Sequence, residues 1–181
     1  MIQNAGADAT AKPSKGRFKG YTPYMLSQGG ATSAFHVYLF EQVALGNIPA
    51  IQQLLKSGIS LTVGDGSASE DTPLHWACSF NKLDVAIALV ECGANVNVLN
   101  SFKQTPLHII CKLPSSSAPG RDELVLFLLK EGANLALEDS ENKVAKQYVD
   151  EAKDKDVLYF LGSNVLPTME NTNTYLQSIA E

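Results

Sequence analysis

The chain has 181 residues, of which 45% are hydrophobic and 18% are charged, so it can bury the core of a globular domain. A net charge of −5 argues against nucleic-acid binding through phosphates. The sequence has no run of about 18 apolar residues, so it predicts no membrane span. The N-terminus lacks the pattern of a secretory signal, and we read the three cysteines as reduced thiols of a cytoplasmic, or alternatively nuclear, protein.

Residues 1–33 predict a flexible N-terminal segment, because they are rich in small and polar residues and show no apolar period. Residues 1–20 contain four basic side chains against one acidic, which suits an acidic surface or a lipid headgroup. The exception to the polar composition is residues 18–26, FKGYTPYML. This apolar stretch either packs on the folded body as a cap or serves as a recognition segment for another protein.

Helical spacing begins after this segment. Leu39, Phe40 and Val43 predict one apolar helix face, and Gly46-Asn47 predicts its break. Residues 48–56 predict a second helix, which a following glycine ends.

A repeated tetrapeptide organises the middle of the chain. Thr72-Pro73-Leu74-His75 returns 33 residues later as Thr105-Pro106-Leu107-His108. The Gly-Ala-Asn of residues 93–95 returns at residues 132–134. A period of this length is typical of stacked repeat proteins, and the motifs resemble those of the ankyrin repeat.

The resemblance implies an all-α solenoid of about four helix-turn-helix repeats joined by hairpin loops. We place the repeat domain at 37–161, with repeats near 37–71, 72–104, 105–143 and 144–161, and a C-terminal linker or tail at 162–181. The third repeat contains an insertion rich in proline and serine within residues 113–120, which predicts an exposed loop. The fourth has lost the tetrapeptide and is polar, as a terminal repeat is expected to be.

The hairpins depart from the family pattern at one position. Two residues before each TPLH the family usually has glycine, whereas this chain has Glu70 and Lys103. If these positions require a positive φ, each costs about 1 kcal/mol relative to glycine. Another turn type is the alternative.

Two His-x-x-Cys pairs, His75 with Cys78 and His108 with Cys111, are a zinc ligand set by residue type. The resemblance implies instead that the histidines bond backbone and hydroxyl groups at the helix starts and that the cysteines face the core. No nucleophile elbow, phosphate loop or metalloprotease motif is present. We therefore predict no enzyme activity, no cofactor and no metal.

What remains is recognition of another protein. The ankyrin-like fold presents a concave face formed by the first helices and the hairpin tips. The predicted partner-binding residues on it are Trp76, Ser79, Phe80, Leu99, Phe102, Ile109, Lys112 and Leu113. Trp76, Phe80 and Phe102 are expected to form a central aromatic set, with Trp76 alternatively buried between first helices. An apolar patch with an acidic rim suits a peptide with apolar anchors and basic flanks.

We therefore predict a monomeric adaptor or scaffold that holds a segment of another protein. A place as the N-terminal domain of a larger protein stays open. Two alternatives stay open. Residues 18–26 can occupy the same groove until a partner displaces them, which would make the chain a self-masked or inhibitory binder. The basic leader can instead tether the chain to a membrane surface.

Overall fold

The computed structural model describes residues 34–114, 120–150 and 155–162. Within these ranges the chain is helical, with no strand and one isolated bridge between Glu138 and Val144, and the predicted all-α class is confirmed. The elements are α1 (Ala34–Leu45), α2 (Ile48–Lys56), α3 (Pro73–Ser79), α4 (Leu83–Glu91), α5 (Pro106–Cys111), α6 (Arg121–Lys130), a 3-10 helix (Ala145–Tyr148) and α7 (Lys155–Gly162).

The helices stack in two layers. The first helices α1, α3 and α5 and the 3-10 helix pack on one another in chain order, and α2, α4, α6 and α7 form the second layer in the same way. One continuous apolar core runs between the layers. The main contacts of each repeat are thus with its neighbours in sequence, which is the architecture of a solenoid.

The tetrapeptides start the central helices. Thr72 and Thr105 have extended backbones and precede prolines at the first helical position of α3 and α5. Proline suits that position because its φ is already helical and its missing N–H would have had no helical partner. The leucine that follows, Leu74 or Leu107, is fully buried in the core.

The motif histidines join each repeat to the next. The Nδ1 atom of His75 accepts the backbone N–H of Thr72 at 3.2 Å, and its Nε2 lies 2.8 Å from the carbonyl oxygen of Gln104. A carbonyl only accepts, so Nε2 carries the proton. His108 repeats this arrangement with Thr105 and the carbonyl of Lys143. The predicted bonding of the histidines is confirmed.

The hairpins have a positive φ at the two positions where the family usually has glycine. Glu70 has a φ of 50° and Lys103 a φ of 55°, so both non-glycine residues occupy the left-handed region. Asn81 and Asn142 do the same at 51° and 57°. Asparagine tolerates this conformation better than lysine or glutamate, so the strain is concentrated at Glu70 and Lys103.

The fourth repeat replaces the tetrapeptide by a different cap. A single 3-10 helix stands where the other repeats have an α-helix, and the side chain Oε1 of Gln147 accepts the backbone N–H of Val144 at 2.8 Å. Gln147 thus caps the start of its own helix as the Nδ1 atoms of His75 and His108 do in theirs. Val149, Val157 and Leu161 are buried in the core that continues from the third repeat.

The insertion of the third repeat is closed at its base. The guanidinium of Arg121, a buried residue, donates to the carbonyl of Leu113 across the insertion. Three predicted segments lie outside the described residues: residues 115–119 of the insertion, the flexible segment at 1–33 and the tail at 162–181. The exception is residue 162, which ends α7. None of the described helices meets the length and apolarity required to cross a bilayer.

Candidate partner-binding surface

The predicted site residues fall into two groups at opposite ends of the first helices. Leu99 and Phe102 lie in the hairpin between α4 and α5, and their side chains are 48% and 44% exposed. We call this pair the hairpin patch. Phe80 follows the last residue of α3, one helix length away from the hairpin end. A seven-residue helix is about 10 Å long, so the predicted aromatic set is divided.

Buried hydrogen bonds fix the backbone under the hairpin patch. The side-chain oxygen of Asn100 accepts the N–H groups of Phe102 at 3.0 Å and Gln104 at 2.9 Å. The backbone N–H of Asn100 donates to the carbonyl of Gln104, and that of Lys103 donates to the carbonyl of Asn100. Asn100 is itself buried. The hairpin therefore holds Phe102 on a closed turn.

Neighbouring hairpins are also bonded to one another. The N–H of Ser101 donates to the carbonyl of Ser69 at 2.8 Å, and the N–H of Ser140 donates to the carbonyl of Phe102 at 2.9 Å. The side-chain amide of Asn100 donates to Asp71 at 2.7 Å. Three successive hairpins thus form a connected platform that carries the exposed Phe102 side chain at its centre.

Trp76 is a core residue and does not belong to the exposed surface. It is only 8% exposed, and its ring contacts Phe40 of the first repeat at a centroid distance of 5.0 Å and Phe80 at 5.8 Å. Its Nε1–H donates to the carboxylate of Asp65 at 2.8 Å. Asp65 lies in the loop before the second repeat, so Trp76 locks that loop to α3 and seals the interface between the repeats.

The remaining predicted residues line the ends of α3 and α5. Ser79, Phe80, Ile109 and Leu113 are partly buried, and Lys112 is exposed. The ammonium of Lys112 lies 4.3 Å from the centroid of the Tyr148 ring, where the negative face of the ring attracts a cation. This part of the surface offers the Lys112 cation beside partly covered apolar groups.

Two of the carboxylates expected in the acidic rim are internal, whereas Glu41 and Glu138 are exposed. Asp65 and Asp139 are both buried. Burial alone raises the pKa of Asp139, but hydrogen bonds from the Tyr148 hydroxyl, two backbone N–H groups and Gln104 outweigh it and hold that pKa well below its usual range. These carboxylates are committed to the hairpins, so basic flanks on a partner do not follow from them.

Tyr148 was missed by the sequence reasoning. Its hydroxyl donates to Asp139, its ring contacts the ring of His108, and Lys112 and Lys143 lie over it. Burial and the Asp139 carboxylate raise the pKa of this hydroxyl, so it stays protonated at neutral pH. The available signal was the repeat register, because Tyr148 stands 72 residues after Trp76 in the corresponding position.

The His-x-x-Cys pairs have the surroundings of structural residues. Both ring nitrogens of His75 and of His108 are hydrogen-bonded within the protein, and Cys78 and Cys111 are buried in the core. Burial raises the pKa of the Cys78 thiol, which opposes formation of the thiolate that a metal needs. Over 34–114, 120–150 and 155–162, no cluster of three or more potential metal ligands is found.

A described cavity lies away from the predicted residues. It has a volume of about 400 Å³ and opens where the turns of the first three repeats meet, next to Leu45, Lys82, Asp84 and Glu123. Its lining is mainly polar, and it shares no residue with the hairpin patch.

The sequence was compared with protein families and with known proteins. The sequence model of the family described as "Ankyrin repeats (3 copies)" matches residues 39–139. An Arabidopsis thaliana protein named "Putative E3 ubiquitin-protein ligase XBAT35" is 38% identical over 99 residues, covering 53% of this chain and 20% of that protein. The human protein fem-1 homolog C is 32% identical over 74 residues, covering 41% of this chain and 11% of its own length.

A third relative gives the same picture. Human ankyrin repeat domain-containing protein 40 is 29% identical over 85 residues, covering 47% of this chain and 23% of that protein. In all three comparisons the chain spans less than a quarter of the relative's length. The similarity is therefore one of repeat regions within longer proteins.

Proposed function

The chain belongs to the ankyrin-repeat family, whose members generally act as protein–protein interaction modules without catalysis, and we propose that it is an adaptor or scaffold that binds a segment of another protein on its concave face. The observation that carries this proposal is the hairpin patch. Leu99 and Phe102 expose apolar surface on a backbone that hydrogen bonds hold in place. A fixed apolar anchor loses little conformational entropy on binding, which favours affinity.

The proposed partner segment has two chemical features. An apolar side chain contacts Leu99 and Phe102, because aromatic and aliphatic anchors dominate the energy of protein interfaces. A carboxylate lies toward Lys112, whose ammonium rests over the Tyr148 ring. Lys143 is a weaker candidate for this contact, since its ammonium already pairs with Glu141 at 2.7 Å.

We also propose that the protein works in a reducing compartment, the cytoplasm or the nucleus, as a monomeric module. The support is the position of the thiols: Cys78 and Cys111 are enclosed in the core, and Cys92 is exposed at the end of α4. Similarity to repeat regions of much longer proteins supports the further proposal that this module works as part of a larger protein.

The experiment compares affinity purifications from cell extract with the intact chain, a Leu99→Glu/Phe102→Glu variant and a Tyr159→Glu control. Tyr159 is a similarly exposed apolar residue on α7, outside the proposed surface. We expect partner proteins that the control recovers as well as the intact chain does, and whose recovery falls at least tenfold with the patch variant. The reason is that a carboxylate in the anchor contact must be desolvated without a counter-ion. Partners retained equally by all three proteins would overturn the proposed site.

A second comparison tests the carboxylate contact. Lys112→Gln removes the cation but keeps a polar side chain, and Lys130→Gln is the matched control, an exposed lysine at the end of α6 outside the proposed surface. We expect the first change to weaken partner binding about threefold to tenfold at low salt and the second to leave it unchanged. Equal effects from both changes would show that only the general charge matters.

A further inference from the structure

The outer face of α1 carries an apolar stripe that the described part of the chain does not cover. Phe35, Tyr38 and Leu45 are 66%, 42% and 67% exposed. They lie on one side of the helix together with Glu41, whose side chain is also exposed. The other side of α1 packs on α2 and α3 through buried residues such as Leu39 and Phe40. A helix that is apolar on nearly every side is typically buried on every side.

The repeat register shows what this stripe corresponds to. The second helices of the first two repeats begin 35 residues apart, at Ile48 and Leu83. The same offset relates Tyr38 to Pro73 and Glu41 to Trp76, and both Pro73 and Trp76 are buried. Trp76 is buried because the first repeat covers it, as the Phe40 contact shows. The stripe on α1 is therefore the stacking surface on which a preceding repeat would pack.

We propose that residues 18–26 of this same chain dock on the α1 stripe and act as the N-terminal cap of the solenoid. Five of these nine residues are large and apolar: Phe18, Tyr21, Tyr24, Met25 and Leu26. A stacking surface of a solenoid needs such a cap, since exposed apolar repeat ends associate with other molecules. The inference does not depend on the proposed partner site, which lies on the hairpins.

The connecting chain has the length and composition that this docking requires. Residues 27–33, between Leu26 and the start of α1, read Ser-Gln-Gly-Gly-Ala-Thr-Ser. Seven residues span at most about 25 Å, whereas α1 with its 12 residues is about 18 Å long. The segment can therefore reach any point on the stripe, and two consecutive glycines allow the chain to turn back.

Charge supports the same occupant. Residues 1–20 are strongly basic, with four cationic side chains against one carboxylate. The carboxylate of Glu41 lies within the stripe, and the rest of the chain is net negative. Docking of residues 18–26 brings the basic leader next to an acidic body, which is favourable at moderate ionic strength.

The first test is limited chymotrypsin digestion of the full chain, read as the cleavage rate after Tyr21 and Tyr24. The docked segment is protected, so a Phe35→Gln/Tyr38→Gln variant should be cleaved at least tenfold faster. Glutamine is chosen because an added carboxylate would attract the basic leader. The control is Tyr159→Gln, whose exposure on α7 lies between those of Phe35 and Tyr38, and it should not change the rate.

The second test changes the segment and leaves the repeats untouched. A Tyr24→Ser/Leu26→Ser variant of the full chain should raise amide hydrogen exchange throughout α1 at least tenfold, with unchanged exchange in α5. Because these residues lie outside the repeats, the result does not depend on whether the α1 variant folds.

Several results would overturn the proposal. One is cleavage of the intact chain as fast as that of a free peptide of residues 12–30. Another is protection that disappears on dilution together with a dimer, since a second copy would then cover the stripe. A third is protection lost on Leu99→Gln/Phe102→Gln but kept on Phe35→Gln/Tyr38→Gln, since the segment would then occupy the groove. Unchanged α1 exchange in the segment variant contradicts it as well.

Discussion

The first and second repeats use corresponding positions but bury them differently. Leu39 and Leu74 are both fully enclosed, whereas Glu41 is exposed where Trp76 is buried, and Tyr38 is exposed where Pro73 is buried. The difference comes from the neighbour: the second repeat has one on each side, while the described residues place a neighbour on only one side of α1. In a stacked fold, a position is buried by the adjacent repeat as much as by its own residue type.

The largest expected effect separates a position buried within the stack from one on its open end. Leu107→Ala should cost about 3 kcal/mol of unfolding free energy, because it leaves a cavity in the core of the third repeat. Leu45→Ala should cost less than about 1 kcal/mol, because the described residues leave this side chain mostly exposed and only the proposed docking of residues 18–26 would cover it. Urea unfolding followed by circular dichroism measures both. Equal losses of unfolding free energy would show that Leu107 and Leu45 are packed alike, which would contradict the comparison.

The next effect concerns the bonds between repeats. His75→Ala should cost about 2 kcal/mol, because the buried N–H of Thr72 loses its ring partner and the carbonyl of Gln104 loses one of its two donors. Gln147→Ala removes the corresponding cap of the fourth repeat and should cost about 0.5 kcal/mol. The loss is smaller because the Gln147 side chain is exposed and its described bond stays within its own repeat. A larger loss for Gln147→Ala, in the same unfolding assay, would contradict this ranking.

Acid should weaken the same bonds. Burial lowers the pKa of both His75 and His108 from 6.5, opposed in part by their hydrogen bonds to backbone carbonyls. Below about pH 6.5 the unfolded chain therefore binds more protons than the folded chain. The contribution to stability is complete above that pH and declines as pH falls toward 5, by at most about 1.4 kcal/mol per pH unit for each histidine.

Urea titrations between pH 7.5 and 5.0 test this dependence. This window avoids Asp139, whose lowered pKa makes its contribution disappear only below about pH 4. The His75→Ala/His108→Ala variant is the control and should lose most of the slope. A variant with the original slope would assign the dependence to other groups.

The smallest effect is a gain. Lys103→Gly should stabilise the chain by about 1 kcal/mol, because glycine adopts the observed φ of 55° without a Cβ clash. Lys103→Ala keeps the Cβ and should change little. Asn142→Gly, at the same hairpin position of the fourth repeat, should gain only a few tenths of a kcal/mol. If Lys103→Gly is neutral by thermal unfolding, the backbone strain inferred for the central hairpin is wrong.

The repeat pattern was sufficient to predict much of the fold. The second helix of the first repeat was predicted at residues 48–56 and occupies Ile48–Lys56. The histidine contacts also followed from the motif, because they depend on the repeat's own backbone. The motif left the turn type at Glu70 and Lys103 open, and the structure has a positive φ at both.

The surface was harder to predict because it depends on loops and neighbours. Trp76 is buried partly because Asp65, in an irregular loop, accepts its Nε1–H. Tyr148 draws Asp139 away from the expected acidic rim, and the repeat in which it lies had lost the motif that would identify it. Leu99 and Phe102 remain a prediction as partner contacts, although their exposure agrees with that role.

The most direct test of the proposed function is site-specific photo-crosslinking in cell extract. A photoreactive phenylalanine analogue replaces Phe102 in one protein and Tyr159 in another, and adducts are identified by mass spectrometry. We predict a discrete adduct from position 102 that is absent from position 159 and is suppressed by adding Leu99→Glu. No adduct from position 102, or the same adducts from both positions, would contradict the claim that the hairpins hold the partner.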